Sequence, residues 1–234
     1  MEKKNYPAIV VGGGHAGLEA SFILAKMGIE VLLISISFDR IGEMPCNPSI
    51  GGIAKGQLVR EIDSLGGEMA KGADFAGIQF KMLNRSKGPA VWGPRSQTDK
   101  KKYSEYFKRR MGEVEELTFI EDKVSEIFPS EADWKVKTVK NGEFQTSGIV
   151  LTAGTFLRGR LFTGMNEIEG GYHGAPAANE LSVSLKKLGF KLRRLKTGTP
   201  ARLIKDSINY DILDIQKGED VSSSFSHYSN RKIE

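Results

Sequence analysis

The stretch Ala8-Ile9-Val10-Val11-Gly12-Gly13-Gly14-His15-Ala16-Gly17-Leu18-Glu19-Ala20 decides the fold of this chain. Its four apolar residues, 8–11, predict a buried parallel strand, and the run from Leu18 to Met27 predicts a helix that ends at Gly28. A second apolar run, 29–34, predicts the next parallel strand. A strand, a glycine-rich turn, a helix and a strand in this order are typical of a dinucleotide-binding unit.

The glycines of this stretch have the spacing G-x-G-x-x-G, and each is expected to have its own task. Gly12 permits the tight turn, Gly14 allows the backbone to approach a pyrophosphate, and Gly17 lets the helix pack closely on the strand. The phosphates would then lie on N–H groups at the positive end of the helix dipole. A turn without a ligand is the alternative interpretation, but three glycines at this spacing serve no packing need.

Ser35 follows the second predicted strand, where such folds usually carry Asp or Glu to bind the ribose. Asp39 comes four residues later, in a predicted loop. The hydroxyl of Ser35 can donate one hydrogen bond, but the acidic residue of the fingerprint is missing. This favours FAD over NAD as the cofactor of the site.

Composition limits the class of protein. Of the 234 residues 39% are apolar and 27% charged, which is ordinary for a soluble globular protein, and the net charge of +5 is compatible with a polyanionic partner without proving one. A single cysteine, Cys46, excludes an internal disulfide and a cysteine-rich zinc site. His173 and His227 lack metal-ligand spacing, so no metal site is expected. Without a signal peptide or an apolar run of about 18 residues, we expect a cytoplasmic protein with no membrane segment.

Residues 40–56 contain two prolines and four glycines, which predict an irregular surface loop that carries function. Cys46 lies in this loop. One interpretation makes it a thiolate nucleophile near the flavin. The other makes it an inert, small hydrophobic residue.

Two helices are predicted after this loop. The first should bury Leu58, Ile62 and Leu65 on one face. Ser96 is expected to cap the second helix, with Asp99 in the capping-box position, and Tyr103, Phe107 and Met111 should form its apolar stripe. The basic runs 100–102 and 108–110 flank this stripe, and a solvated outer face is the favoured interpretation for them.

A small antiparallel meander is predicted next. A strand over 119–127 precedes an alternating strand over 133–140, and Asn141-Gly142 signals a hairpin turn. Residues 143–146 are predicted to form the antiparallel strand after this turn, and residues 149–151 are predicted to form another buried strand of the main sheet. We therefore predict an α/β fold, a Rossmann-like FAD-binding domain of the two-domain flavoprotein type. It spans residues 1–159, and a partial second domain begins at residue 160.

In that second part, Asn179 is expected to cap a helix with Leu181, Leu185 and Leu188 inward, ended by Gly189. Residues 191–202 predict a basic strand that runs into a turn, and the serine-rich end from Val221 predicts a frayed terminus. Lys87 and Lys196 lie beside glycine and proline in loops. Each either binds a phosphate or carboxylate or is simply solvated.

Four motifs together resemble one family. They are Gly12-Gly13-Gly14-His15-Ala16-Gly17, Pro45-Cys46-Asn47-Pro48-Ser49-Ile50-Gly51-Gly52, Ser86-Lys87-Gly88-Pro89-Ala90-Val91 and Leu195-Lys196-Thr197-Gly198-Thr199-Pro200. Their order and spacing are similar to the N-terminal part of the MnmG (GidA) family of tRNA uridine 5-carboxymethylaminomethyl modification enzymes. The likeness extends from about Tyr6 to Leu213.

The resemblance implies an FAD enzyme that uses NADH as reductant and methylenetetrahydrofolate as one-carbon donor. It implies modification of the wobble uridine of certain tRNAs together with an MnmE-type GTPase, in a heterotetramer built on a homodimer. Cys46 is the candidate catalytic residue, and Arg193, Arg194, Lys196 and Arg202 are candidates for contact with the tRNA backbone. His15 is expected to position the cofactor rather than to transfer protons. The residues that the resemblance implies to bind FAD are Gly12, Gly13, Gly14, His15, Ala16, Gly17, Val124 and Ser182, and Ser35 joins them from its place after the second predicted strand.

Family members are much longer than this chain. A second cysteine, NAD contacts, a later flavin motif and the helical domain that meets the GTPase would all follow residue 234, as would the last strand and helix of the FAD domain. We therefore expect a fragment or a truncated product that is inactive alone. Two alternatives stay open, namely another flavin oxidoreductase, such as the folate-dependent tRNA methyltransferase paralogue, and a non-catalytic remnant.

Overall fold

The computed structural model describes residues 4–172, 174–198, 200–219 and 224–229. The chain divides into two compact units, and each consists of two segments of sequence. Unit 1 is Met1–Glu43 with Phe107–Arg194, and unit 2 is Met44–Tyr106 with Leu195–Glu234. This division by contacts differs from the predicted domain boundary at residue 160, which stays a prediction.

Eleven strands and five α-helices are present in the described residues. The strands are β1 (Asn5–Val11), β2 (Val31–Ser35), β3 (Ser49–Gly51), β4 (Gly77–Leu83), β5 (Gly93–Thr98), β6 (Leu117–Glu121), β7 (Val124–Ser130), β8 (Asp133–Thr138), β9 (Glu143–Leu151), β10 (Arg160–Thr163) and β11 (Asn166–Glu169). The helices are α1 (His15–Lys26), α2 (Lys55–Ser64), α3 (Met69–Ala76), α4 (Lys100–Met111) and α5 (Asn179–Lys187).

The main sheet of unit 1 has the strand order β6-β2-β1-β9-β8-β7. Strands β6, β2, β1 and β9 are parallel, and β9, β8 and β7 form an antiparallel meander. The predicted α/β fold and the meander are thus confirmed. Two boundaries were wrong, because the predicted strand 119–127 is two strands, and residues 143–151 form one strand rather than two.

The core of unit 1 lies where the apolar side chains of the sheet meet α5. Leu181 and Leu185 of this helix are buried, as predicted, and Leu188 packs beside the core. The Ser184 hydroxyl donates to the Ile127 carbonyl (2.7 Å) and accepts from the Ile127 N–H (2.9 Å), which ties α5 to β7. Asn179 was wrong as the cap, since it is the first helical residue and Ala178 precedes the helix without a side-chain hydrogen bond.

Unit 2 contains an antiparallel sheet with the order β3-β5-β4, together with α2 and α3. The predicted buried face of α2 was wrong, because Leu58 and Leu65 are 57% and 77% exposed. The helix buries Gly56, Val59 and Asp63 instead. A Cβ on Gly56 would lie 2.5 Å from the Pro94 carbonyl oxygen, so the glycine lets this face approach β5 and the leucines point away.

Ser96 was also wrong as a helix cap. It is buried within β5, which continues to Thr98 and so delays the start of α4. The carboxylate of Asp99 accepts from the N–H groups of Lys101 (2.8 Å) and Lys102 (3.1 Å), and Asp99 is therefore the capping residue. The predicted stripe of α4 is confirmed, since Tyr103, Phe107 and Met111 are buried.

The C-terminal segment differs most from expectation. Residues 191–198 and 200–202 form no strand. Residues 221–223 and 230–234 of the predicted frayed end lie outside the described residues, but 224–229 are packed on unit 2, with Phe225 only 3% exposed. The Asp74 carboxylate accepts from the N–H groups of Phe225 and Ser226, and the Asp63 carboxylate accepts from the Ser226 hydroxyl and the His227 N–H, all at 2.6–2.9 Å.

Within the described part of the chain, no helix is both long and apolar enough to cross a membrane.

A buried carboxylate organises the β6–β7 junction and the β8–β9 turn. Asp122, 2% exposed, accepts hydrogen bonds from the N–H groups of Lys123, Lys140 and Asn141 and from the Asn141 side-chain amide. Burial, the largest single influence, favours the neutral acid, but hydrogen bonds from Thr138, Asn141 and Lys123 outweigh it and hold the pKa of Asp122 below its usual range.

We predict that Asp122→Ala destabilises unit 1 by about 1.5–3 kcal/mol at pH 7, since buried donors lose an ionised acceptor. Because the folded-state pKa is lowered, this stability is fully present above the unfolded pKa of about 4 and is lost as the pH falls through the folded value. Urea denaturation at pH 7 and at lower pH measures both effects. Glu115→Ala, at an exposed position, is the control, and equal midpoints for the two variants would contradict the prediction.

Candidate functional site

The glycine turn lies where three parallel strands end. The Gly12 N–H donates to the Ile34 carbonyl at the end of β2 (2.8 Å), and the Thr152 N–H donates to the Val11 carbonyl at the end of β1 (2.9 Å). The carboxyl ends of parallel strands form the crevice in which sheets of this kind bind ligands. The turn is therefore at the position that a nucleotide site requires.

Two of the glycines are required by packing, so the expectation that three glycines at this spacing serve no packing need was wrong. Gly12 has φ +112°, and a Cβ on it would lie 2.4 Å from the Thr152 carbonyl oxygen. A Cβ on Gly17 would lie 1.8 Å from the Gly12 carbonyl oxygen and 2.7 Å from the Thr152 hydroxyl. The tight turn predicted at Gly12 and the close helix packing predicted at Gly17 are both present.

Gly14 differs from both, because a Cβ on it would meet no atom within 4 Å. It is the residue directly before α1 and has φ −80°, and as a glycine it offers the helix no side-chain cap. The first N–H groups of a helix have no acceptor within the helix, and the first turn of α1 has no acidic residue. Open space, N–H groups that have no acceptor within the helix and the positive end of the helix dipole fit a pyrophosphate group.

Ser35 lies next to the glycine turn, which its predicted role in FAD binding requires. A Cβ on Gly13 would lie 3.0 Å from the Ser35 hydroxyl oxygen and 2.3 Å from Cδ1 of Ile41. Ser35 is buried. Its hydroxyl therefore lies beside the glycine turn, while its role toward a ribose stays a prediction.

Thr152 and Ile41 also belong to this site, and sequence reasoning missed both. The Thr152 hydroxyl donates to the Val11 carbonyl (2.8 Å), with the Gly12 carbonyl also within reach (3.2 Å), so it holds the turn at the end of β9. The signal for Thr152 was its place directly after a buried strand, where parallel strands carry site residues. Ile41 had no signal, because it lies in a loop distant in sequence.

His15 begins α1 and is half-buried. Burial lowers the pKa of its imidazole, so the ring is neutral at pH 7. A neutral ring adds no positive charge for a diphosphate, which agrees with a positioning role. Ala16 is exposed on the same turn.

Val124 and Ser182 lie on two packed elements, β7 and α5. Val124 is part of the buried core, and the Ser182 hydroxyl donates to the Asn179 carbonyl (2.7 Å). Both side chains are buried, so a ligand would have to meet backbone atoms near them. Their contact with a cofactor stays a prediction.

Cys46 lies in unit 2 and is half-buried. Its thiol donates to the Gly198 carbonyl (3.4 Å), and its own carbonyl accepts from Arg202 Nη2 (3.1 Å). Two of the recognised motifs, 45–52 and 195–200, therefore meet at the thiol, although about 150 residues separate them in sequence. This proximity could not be deduced from spacing.

The remaining candidates are less informative. Lys87 and Lys196 are exposed, and His173 lies outside the described residues. Across residues 4–172, 174–198, 200–219 and 224–229, no group of three or more His, Cys, Asp or Glu side chains could hold a metal ion.

Comparison with known proteins gives one family. The family model described as glucose inhibited division protein A matches residues 7–234. A relative from Mycoplasma mobile, named tRNA uridine 5-carboxymethylaminomethyl modification enzyme MnmG, is 48% identical over 236 residues, and one of the same name from Sulfurihydrogenibium is 46% identical over 230. These alignments cover 100% and 97% of this chain but only 38% and 37% of the relatives.

Solved structures agree. A crystal structure of Aquifex aeolicus GidA matches with a TM-score of 0.91 and 44% identity, over 97% of this chain and 38% of that one. The GidA-related protein from Thermus thermophilus matches with a TM-score of 0.54 at 20% identity, and that likeness concerns the fold alone. The chain thus has the FAD-binding type of Rossmann-like fold and spans less than two fifths of the length of its relatives.

The two kinds of glycine should respond differently to the same substitution. Gly17→Ala places a methyl group against the Gly12 carbonyl, and we predict a loss of about 1–3 kcal/mol of stability. Gly14→Ala meets open space at an ordinary φ, so its stability should stay within about 1 kcal/mol of wild type. Urea unfolding of both variants measures the difference, and a Gly14→Ala variant as unstable as Gly17→Ala would contradict it.

Proposed function

Because the chain belongs to the glucose inhibited division protein A (GidA) family, we propose that it is the FAD-binding part of an enzyme that modifies the wobble uridine of tRNA. The relatives' name supports the tRNA reaction, in which a carboxymethylaminomethyl group is added to the uridine. The observation that carries the cofactor assignment is the open space above Gly14 at the start of α1.

Different residues of unit 1 bind different groups of FAD. Amides of the turn and of the first turn of α1 bind the pyrophosphate, Gly14 leaves room for it, and Ser35 donates to the ribose. Thr152 and Gly17 keep this geometry rigid. When bound, the flavin supplies reversible two-electron redox chemistry. Val124 and Ser182 are proposed as further FAD contacts through the backbone.

The other components are proposed from the family resemblance. NADH would reduce the flavin, and methylenetetrahydrofolate would donate the carbon. An MnmE-type GTPase would act with a homodimer of the family-length protein in the cytoplasm. Since the chain covers less than two fifths of its relatives, the complete reaction is a proposal for a family-length protein.

Cys46 is proposed as the nucleophile. Its thiolate would add to a carbon of the uracil ring, and the electron pair of the ring double bond would move to the adjacent carbon. That carbon would then bond to the methylene carbon of methylenetetrahydrofolate, while the bond from this methylene to one folate nitrogen breaks and leaves its electron pair on the nitrogen. Removal of the proton from the same ring carbon by a base would restore the ring double bond as the C–S bond breaks, which regenerates the thiolate. In the structure the thiol proton is directed at the Gly198 carbonyl, and this bond must break before attack.

FAD binding tests the cofactor assignment directly. We predict that wild-type chain takes up FAD and that Gly14→Ala weakens its affinity by at least about tenfold, which equals about 1.4 kcal/mol. The physical reason is a methyl group in the space that the pyrophosphate needs. Titration followed by flavin fluorescence measures the effect. Gly148→Ala, where a Cβ also meets open space in unit 1, is the control, and a wild type without affinity for flavin would refute the assignment.

For Cys46 we predict that Cys46→Ser in the family-length protein leaves FAD binding intact and abolishes uridine modification. Serine keeps the shape of the loop but is a far poorer nucleophile at neutral pH. Mass spectrometry of tRNA nucleosides from a complemented deletion strain measures the product. Asn47→Ser, at an exposed neighbouring position, is the control. Normal modification by Cys46→Ser would reject the catalytic role, and loss of flavin would instead indicate a packing role.

A further inference from the structure

The segment 186–194, which we call the basic segment, has an unusual charge density. It contains no acidic residue, and five of its nine residues are cationic, namely Lys186, Lys187, Lys191, Arg193 and Arg194. All five side chains are exposed. Like charges this close repel one another, and a counter-anion relieves that repulsion.

The protein itself supplies little compensation. Among the described residues, the only carboxylate that pairs with a cation of the basic segment is Glu126, which lies 3.7 Å from Lys187 Nζ. Arg194 Nη1 donates to the Arg158 carbonyl (3.1 Å), a neutral acceptor, and Arg158 itself adds another exposed cation. The basic segment therefore keeps most of its positive charge.

The second basic cluster of unit 1 behaves differently. On α4, Arg109 and Arg110 both pair with Glu113, and Lys108 donates to the Asp39 carbonyl and lies over the Phe38 ring. The interpretation of this helix face as a structural, solvated surface is consistent with these contacts. The two clusters are similar in sequence, but their electrostatic environments differ.

A purely structural role explains only part of the basic segment. Lys186 and Lys187 lie in the last turn of α5, where cations stabilise the helix dipole. Lys191, Arg193 and Arg194 lie beyond the helix, so this explanation does not extend to them. Beside them Phe190 is 59% exposed, and an exposed aromatic ring among cations is the combination that binds single-stranded nucleic acid, by base stacking and phosphate contact.

We propose that Lys191, Arg193 and Arg194 bind backbone phosphates of the tRNA, with Phe190 available to stack on an unpaired base. This inference rests on the proposed function, because the relatives' name identifies the polyanion as tRNA. It places a contact with the substrate in unit 1, on residues other than those of the glycine turn.

The test is the salt dependence of tRNA binding by the chain. The variant Lys191→Glu/Arg193→Glu/Arg194→Glu should bind at least about tenfold more weakly at low salt, and the slope of log K against log salt concentration should fall by about 2–3. The matched control Lys101→Glu/Lys102→Glu/Arg109→Glu reverses three charges on α4 and changes the net charge equally. It should change affinity by less than about threefold.

Equal losses in the two triple variants would indicate a response to net charge alone and would overturn the inference, as would a wild-type chain that does not bind tRNA at low salt. Circular dichroism confirms that both variants are folded. Flavin titration keeps the two proposals separate. Selective loss of tRNA binding in a chain that binds no FAD would support the basic segment while refuting the proposed function. Retained FAD binding without a selective loss of tRNA binding would support the proposed function and refute the role of the basic segment.

Discussion

The contact between the Gly12 carbonyl and the first turn of α1 at Gly17 is the constraint on which the rest of unit 1 depends. Only glycine at both positions allows the helix to start this close to the end of β1. The Thr152 hydroxyl, at the end of β9, donates to the Val11 carbonyl and also lies within reach of the Gly12 carbonyl. As a result, three strand ends and a helix terminus form one rigid corner, and the amides that face a ligand are in place before it arrives. Binding then loses less conformational entropy.

Much of unit 1 follows from local sequence. Glycine spacing, the apolar runs of β1 and β2 and the Asn141-Gly142 turn each act over a few residues, so their consequences can be read from the sequence. The errors arose where a distant partner decided the outcome. Leu58 and Leu65 are large hydrophobic residues, yet they are exposed because Gly56 can approach Pro94 more closely. No pattern within α2 contains that information.

The candidate site shows the same limit. The position of Ser35 beside the glycine turn could be predicted from its place at the end of β2, but the positions of Ile41 and of the partner of Cys46 could not, since loops carry no periodic signal. Three of the four family motifs belong to unit 2, and two of them, 45–52 and 195–200, are joined there by the hydrogen bond from Cys46 to Gly198. Gly52 also donates to Pro94, and Gln57 to Trp92, in the residues that follow the motif 86–91. Residues of these motifs therefore meet partners that are distant in sequence, and they meet them only in the folded chain.

Two of the buried carboxylates of unit 2 have a practical consequence for anyone who wishes to express part of this protein. Asp63 and Asp74 find their hydrogen-bond donors in residues 225–227, and Arg60 donates to the Phe225 carbonyl. An expression fragment that ends before Ser224 would keep both acids inside unit 2 without these donors, and burial of a polar group without a hydrogen-bond partner costs stability. A composition-based choice of boundary would cut here, because the serines suggest a dispensable tail. The domain boundary therefore has to be drawn after residue 229 for unit 2 to retain its interior.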